Sequence, residues 1–169
     1  MLKIVNIVCS GTIFQKFDLQ QIEAPVYRYD HNKNRCGYLC FPKCKVLLFK
    51  SGKYQILGLT SVEDIKSTLK LVKKTLKPFI VPEKINLPRV INIVGLINTE
   101  RKIPLIKLLE KNPQENIEYE PEQFPGLILR KMGCTALIFS NGKILLNGLT
   151  DIDDMKKISS ELITMIDKL

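Results

Sequence analysis

The sequence predicts an α+β protein built from two copies of one unit, with an antiparallel sheet covered by helices on one face. Three observations carry this. The chain repeats itself in order along its length. Each copy contains short apolar runs of period two, bounded by turn signals. Each copy ends in an amphipathic helix pattern.

Ile4-Val5-Asn6-Ile7-Val8 returns as Val90-Ile91-Asn92-Ile93-Val94, 86 positions later. Val46-Leu47-Leu48-Phe49-Lys50-Ser51-Gly52-Lys53 returns as Ala136-Leu137-Ile138-Phe139-Ser140-Asn141-Gly142-Lys143, 90 positions later. Gly58-Leu59-Thr60 and Asp64-Ile65-Lys66 return as Gly148-Leu149-Thr150 and Asp154-Met155-Lys156. An order kept end to end, with so little drift, is a tandem duplication. Two copies are too few for an open solenoid, so one pseudo-two-fold domain is expected, with repeats at residues 1–84 and 85–169.

Each copy opens with a strand, in which Val5 and Ile7 alternate with Asn6 and Val8. A short helix is expected over residues 18–24, with 103–111 as its counterpart, stopped by Pro113. In the next strand Leu47 and Phe49 share one face, Val46 and Leu48 the other. Ser51-Gly52 and Asn141-Gly142 are two-residue hairpin signals. Thr60 with Glu63, and Thr150 with Asp153, have the spacing of capping boxes, and Asp151, Asp153 and Asp154 suit a helix's first turn. Val62, Ile65, Leu69, Val72 and Leu76 form one core-facing stripe, and Ile152, Met155, Leu162, Ile166 and Leu169 the other. Lys66, Lys70, Lys73, Lys74 and Lys77 lie off the stripe as a solvated basic surface. Pro78, Pro82 and Pro88 punctuate a linker over residues 77–88.

The strands are apolar on both faces, which a sheet with one solvated face does not need. Val5, Ile7, Val46 and Leu48 are assigned to the helices. Val8, Leu47, Phe49 and Ile56 then point the other way, as do Val94, Leu137, Phe139 and Leu145. Such an exposed apolar surface marks a binding site. Lys53, Lys143, Arg130 and Lys131 are expected to rim it. An apolar floor with cationic edges suits a duplex minor groove, where sugars and base edges lie inside and phosphates outside.

Composition agrees. Net charge is +9, and all of it falls in residues 1–85, which hold fifteen Lys/Arg against six Asp/Glu. That asymmetry points to a polyanionic partner. The mean hydropathy of +0.02, with no apolar run of spanning length, excludes a helical membrane protein. No signal peptide is read at the N-terminus, and five cysteines without one fit a reducing compartment. Catalysis has little support. The one histidine, His31, sits in a polar loop with no partner for a nucleophilic dyad, and Gly52-Lys53-Tyr54 lacks the rest of a phosphate loop. Cys36, Cys40 and Cys44 lack zinc spacing and a fourth ligand, so they read as buried or sheet-face cysteines. Neither an enzyme nor a cofactor is expected.

Tyr119-Glu120-Pro121-Glu122-Gln123-Phe124-Pro125-Gly126-Leu127-Ile128, followed by the Phe139 strand and the paired Asn-Ile-Val segments, resembles the TATA-binding protein family over the whole chain. The resemblance implies a saddle: a curved antiparallel sheet with four helices on its convex face and DNA on its concave face. It implies a general transcription initiation factor that binds A·T-rich promoter DNA in the minor groove, bends it, and recruits a transcription factor IIB-like protein. Other initiation factors or RNA polymerase are further partners it allows. Phe124 and Phe139 match the family's second wedging pair. Phe49 matches one member of the first pair, while the other falls near Cys36, where Tyr38 and Phe41 are the nearby aromatics. Asn6 and Asn92 match the central asparagines, and Val8, Val94, Leu47, Leu137 and Leu145 the apolar floor. Leu57 and Asn147 stand where the family has threonines, and Gln55 where it has a valine. Lys53, Lys143 and Arg130 are expected on phosphates, and Glu120 and Glu122 on the protein partner, pointing away from the duplex. The missing phenylalanine and the lost threonines keep a second reading open: a protein-interaction saddle with weak or lost TATA specificity. The expected compartment is the nucleus, or the cytoplasm for an archaeal or cytoplasmic-virus source.

Overall fold

The computed structural model describes residues 1–30 and 35–169; His31 and Asn34 lie outside the described residues. The chain divides into two compact units, an N-terminal unit of Asn6–Ile91 and a C-terminal unit of Asn92–Leu169 with Met1–Val5.

In the N-terminal unit, β1 (Leu2–Thr12), β2 (Tyr27–Arg28), β3 (Cys36–Cys40), β4 (Lys45–Phe49) and β5 (Lys53–Leu59) lie in the order β2-β3-β4-β5-β1. The pairings β2–β3, β3–β4, β4–β5 and β5–β1 are antiparallel. One sheet face carries Ile7, Cys9, Leu39, Val46, Leu48, Tyr54 and Ile56, all buried. Against that layer α1 (Asp64–Leu76) buries Ile65, Leu69, Val72 and Leu76, four of the five stripe residues read from the sequence, while Val62 precedes the helix and is half-buried. Thr68 completes the buried stripe and hydrogen-bonds the Cys44 side chain. Gly11 admits the Tyr54 ring, because a Cβ there would lie 2.4 Å from it, and the Tyr54 hydroxyl donates to the Asn86 carbonyl at 2.7 Å. The linker is packed: Ile80 and Ile85 are buried, each contributing about 1.5–3 kcal/mol of transfer free energy. Ile13 bridges to Ile85.

The C-terminal unit repeats the plan with β6 (Arg89–Asn98), β7 (Asn116–Glu118), β8 (Leu127–Lys131), β9 (Cys134–Ile138) and β10 (Lys143–Leu149), in the order β6-β10-β9-β8-β7. Its core face carries Ile93, Ile97, Leu127, Leu129, Ala136, Ile138, Ile144 and Leu146. The helices α2 (Leu105–Lys111) and α3 (Ile152–Asp167) supply Leu105, Leu108, Met155, Ile158, Leu162 and Ile166.

Local chemistry corrects several expectations. Residues 18–24 form only a single 3₁₀ turn, Leu19–Gln21, capped by Asp18. Pro25 follows closely, and burying Leu19 and Ile22 satisfies the segment without a longer helix. With Leu105–Lys111 as its counterpart, the described residues hold three α-helices, not four. The capping boxes do not form. Asp151 caps α3, accepting from the Asp153 and Asp154 N–H groups, while Ser61 accepts from Glu63 N–H just before α1. The hairpins have three-residue loops: Gly52 and Gly142 donate to the Phe49 and Phe139 carbonyls at 3.0 Å with φ of +83° and +89°. Each glycine is thus the left-handed residue after a turn rather than a member of a central pair. Ile56 belongs to the core face, fully buried beside Tyr54, so β5 presents Gln55 and Leu57 to the other side.

Candidate nucleic-acid interface

Among the described residues, each sheet's second face carries no helix, and apart from the buried Cys36 its strand residues are half-buried or exposed. In the C-terminal unit, strand pairing sets Ile128, Leu137, Leu145 and Leu96 in one row across β8, β9, β10 and β6. The row of Arg130, Thr135 and Asn147 runs beside it, with Val94 and Asn92 further along β6. Phe139 continues the β9 side of this face, and its ring stacks edge-on against Phe124 with centroids 5.8 Å apart. Gly126 makes room for the pair, since a Cβ there would lie 2.7 Å from Phe124 and 3.0 Å from Phe139. Two half-buried phenylalanines in mutual contact at a sheet margin form a rigid apolar projection.

The N-terminal unit sets Tyr38, Leu47, Gln55 and Ser10 in the corresponding row, then Cys40, Lys45 and Leu57, with Val8 and Asn6 along β1. Phe49 lies opposite Cys36. Because Gly126 immediately precedes the β8 residue paired with Ile138, Cys36 takes the place of Gly126, and the counterpart of Phe124 falls at Asn34, outside the described residues. Tyr38 lies on the face beside Leu47, whereas Phe41 is in the β3–β4 turn. Neither has the position of Phe124.

Asn6 and Asn92 are held the same way. Asn6 Oδ1 accepts the Gly58 N–H at 2.8 Å, and Asn92 Oδ1 accepts the Gly148 N–H at 2.9 Å. Gly58 and Gly148 have φ of +94° and +103° at the bulges where register shifts in β5 and β10. Only glycine reaches that conformation without strain, and the bulge frees the N–H that the asparagine takes. These bonds fix each amide's orientation. The carbonyl is engaged, and the amide's Nδ2 hydrogens are left to donate from the sheet face.

Lys53 and Lys143 flank the hairpins on this face and are exposed. Arg130 is also on it, but it pairs with Glu118 at 2.7 Å. Lys131 is not on the rim. The next residue of a strand points to the opposite face, and there its ammonium lies 3.0 Å from Glu115 and 3.4 Å from Glu161 on α3. The Glu115 hydrogen bond holds its pKa above the usual lysine value. Much of the N-terminal charge is likewise elsewhere, because Lys66, Lys70, Lys74 and Lys77 are exposed on or just after α1. Glu120 does not turn away from the face: it lines a cavity of about 190 Å³ with Phe124, Gly126 and Ile128, its carboxylate taking a hydrogen bond from Gln123. Glu122 is exposed and does not line that cavity.

Lys45, Ser10, Ile128, Leu96 and Glu118 are face residues missed in the sequence. Parity with Leu47 and Phe49 was a sufficient signal for Lys45, whereas Glu118 needed the β7–β8 pairing. The cysteines divide between faces. Cys44 hydrogen-bonds α1 on the core side, while Cys36 and Cys40 share a side of β3 with Tyr38. Burial pushes the Cys9 thiol up to about 11 and raises Cys134, so both pack as neutral thiols.

The family model described as transcription factor TFIID, or TATA-binding protein, matches residues 1–79 and 87–169. The TATA-box-binding protein of Methanothrix thermoacetophila is 36% identical over 156 residues, covering 87% of this chain and 85% of the relative. That of Thermoplasma acidophilum is 32% identical over 171 residues, covering 94% and 92%. Among solved structures, the Methanococcus jannaschii TBP aligns with a TM-score of 0.79 at 28% identity, covering 99% of both chains, which bears out the α+β two-repeat fold class. The chain belongs to the TATA-binding protein family of general transcription initiation factors.

Proposed function

We propose that this protein binds A·T-rich promoter DNA in the minor groove, bends it and recruits a transcription factor IIB-like protein. The observation that carries the reading is the pair of asparagines whose carbonyls are occupied by Gly58 and Gly148. Each turns its carbonyl oxygen to the sheet's own backbone and leaves its two amide hydrogens as donors. The minor groove of A·T pairs presents acceptors only, adenine N3 and thymine O2, while a G·C pair adds a guanine amino donor. Val8, Leu47, Val94, Leu137 and Leu145 pack sugars and base edges, and Lys45, Lys53, Lys143 and Arg130 meet phosphates. Phe124 and Phe139 form the wedge; kinking by inserted phenylalanines is a known property of this family. Asn147 and Leu57 lie on the same faces, each immediately before the glycine whose N–H an asparagine takes. The archaeal relatives support a compartment without a nuclear envelope.

Glu120 and Glu122 offer negative charge beside the second wedge, and a basic surface of the recruited factor complements them. Electrophoretic mobility shifts with an A·T-rich and a G·C-rich duplex at one salt concentration test the DNA reading, with at least tenfold preference for the first expected. Glu120→Arg with Glu122→Arg tests the partner. The ternary complex is lost while DNA binding is unchanged or slightly stronger, because a negative charge next to the face is removed. Full recruitment by the double variant refutes that role. Absence of any duplex preference favours the interaction-module reading instead.

A further inference from the structure

The two open faces correspond position by position, and in the row that crosses the middle of each face they differ in hydrogen-bonding chemistry at two neighbouring positions, Gln55 with Ser10 against Leu145 with Leu96. In the C-terminal unit Leu145 lies between Leu137 and Leu96, an apolar neighbourhood. In the N-terminal unit Gln55 lies between Leu47 and Ser10. We propose that Gln55, with Ser10 beside it, reads a guanine amino group, so that the half-site held by the N-terminal unit accepts a G·C pair that the other half-site rejects. This deepens the minor-groove reading above and rests on it.

The argument is hydrogen-bond accounting. A carboxamide offers two donor hydrogens and one acceptor oxygen. Asn6 has its oxygen engaged by Gly58, so it matches the acceptor-only edge of an A·T pair. Among the described residues the half-buried Gln55 amide has no such internal partner, so it presents donor and acceptor together. Pressed against an A·T pair, Nε2 can donate, but the bases offer Oε1 only acceptors, so its one donor there is the neighbouring Ser10 hydroxyl. Against a G·C pair, Oε1 accepts from the guanine N2 amino group while Nε2 donates to a neighbouring base acceptor. The Ser10 hydroxyl, donor or acceptor by rotation, adds a second adaptable group at the same spot. Leu145 with Leu96 does the reverse: it buries that amino group against methyls with no acceptor. The same fold position is therefore permissive in one unit and exclusive in the other.

The test is a scan of an A·T-rich duplex in which each pair in turn becomes G·C or inosine·C, read by fluorescence anisotropy at fixed salt. Inosine lacks the N2 amino group, so its pair with cytosine looks like A·T from the minor groove. For the unmodified protein, inosine·C is tolerated throughout. G·C weakens binding about tenfold at positions in one half, and at a position in the other half it binds at least as well as inosine·C. Gln55→Val makes that position about tenfold worse for G·C and leaves the rest of the scan unchanged. Leu145→Gln creates a second tolerant position in the opposite half. A profile that disfavours G·C everywhere in the unmodified protein, or one that Gln55→Val does not alter, overturns the proposal. If no A·T-rich or inosine duplex is preferred over a G·C-rich one, the minor-groove reading itself has failed, and the proposal with it. Unfolding midpoints of both variants within experimental error of the unmodified protein establish that the effects are not misfolding.

Discussion

Replacing Asn6 by Asp exchanges one NH₂ group for an oxygen and leaves the side chain's shape unchanged. The carboxylate still accepts the Gly58 N–H, now at 2.8 Å in the asparagine form, and a charged acceptor strengthens such a bond. The bulge in β5 should therefore persist, and the urea unfolding free energy should move by less than about 0.5 kcal/mol, as surface substitutions usually do. DNA binding should respond very differently. Both outward donors disappear, and a negative charge faces purine N3 and pyrimidine O2 acceptors in a desolvated groove. An unpaired charge buried at an interface costs about 2–5 kcal/mol, which is roughly thirty-fold to several-thousand-fold in Kd. Asn6→Ala gives the complementary pattern. It strands the Gly58 N–H and costs about 1 kcal/mol in stability, while DNA affinity falls only by the lost donors, about tenfold. Anisotropy with an A·T-rich duplex, a G·C-rich duplex as the charge control, and urea titration of each variant separate the two effects. If Asn6→Asp binds the A·T-rich duplex within threefold of the unmodified protein, the asparagine amide does not read bases, and the donor argument is wrong. The same substitution at Asn92 provides an internal replicate, because Gly148 N–H is held at 2.9 Å in the same way.

Phe124→Ala and Phe139→Ala should each reduce duplex bending measured by end-labelled energy transfer, because the rings support one another at 5.8 Å, whereas Phe49→Ala should reduce it less, since the sequence has Asn34 rather than a second phenylalanine at the position that corresponds to Phe124; equal losses at all three sink the asymmetry. Alanine at Lys45, Lys53 or Lys143 should weaken all duplexes alike and lower the log–log salt slope by about 1, while Arg130→Ala should lower it by less, because Glu118 already neutralises that guanidinium; a loss confined to A·T-rich duplexes shows base contact instead.

The duplication, the alternating strands and the two closing helices were legible because each is a local periodicity written directly in residue order. So was the existence of an uncovered apolar face, since Leu47, Phe49, Leu137 and Phe139 alternate in strict parity with core residues. The extent of each element was less legible. The segment around Leu19 carries a helix-like pattern, yet it ends as one 3₁₀ turn because its two apolar side chains are already satisfied. Ile56 was assigned to the wrong face although it shares the parity of Val46 and Leu48: the three-residue hairpin pairs Leu48 with Tyr54 and Val46 with Ile56, so carrying that parity into β5 places Ile56 on the core face.

What the sequence determined by itself is the fold class and the chemical character of the face. Its periodicities select which residues leave water, and that selection is a near-neighbour property of the chain. Only tertiary structure decided what each polar group on the face can do. Asn6 and Gln55 are both carboxamides in apolar strands, and nothing in their local sequence distinguishes a donor-only group from one with an acceptor to spare. The difference arises because Gly58, fifty-two residues from Asn6, turns its N–H onto one of them and not onto the other. Likewise Arg130 and Lys131 are adjacent in sequence but lie on opposite faces, one paired with Glu118 and the other with Glu115 and Glu161. A hydrogen-bond partner or a counter-ion is set by which strands and helices are packed side by side, and that proximity exists only after the chain has folded.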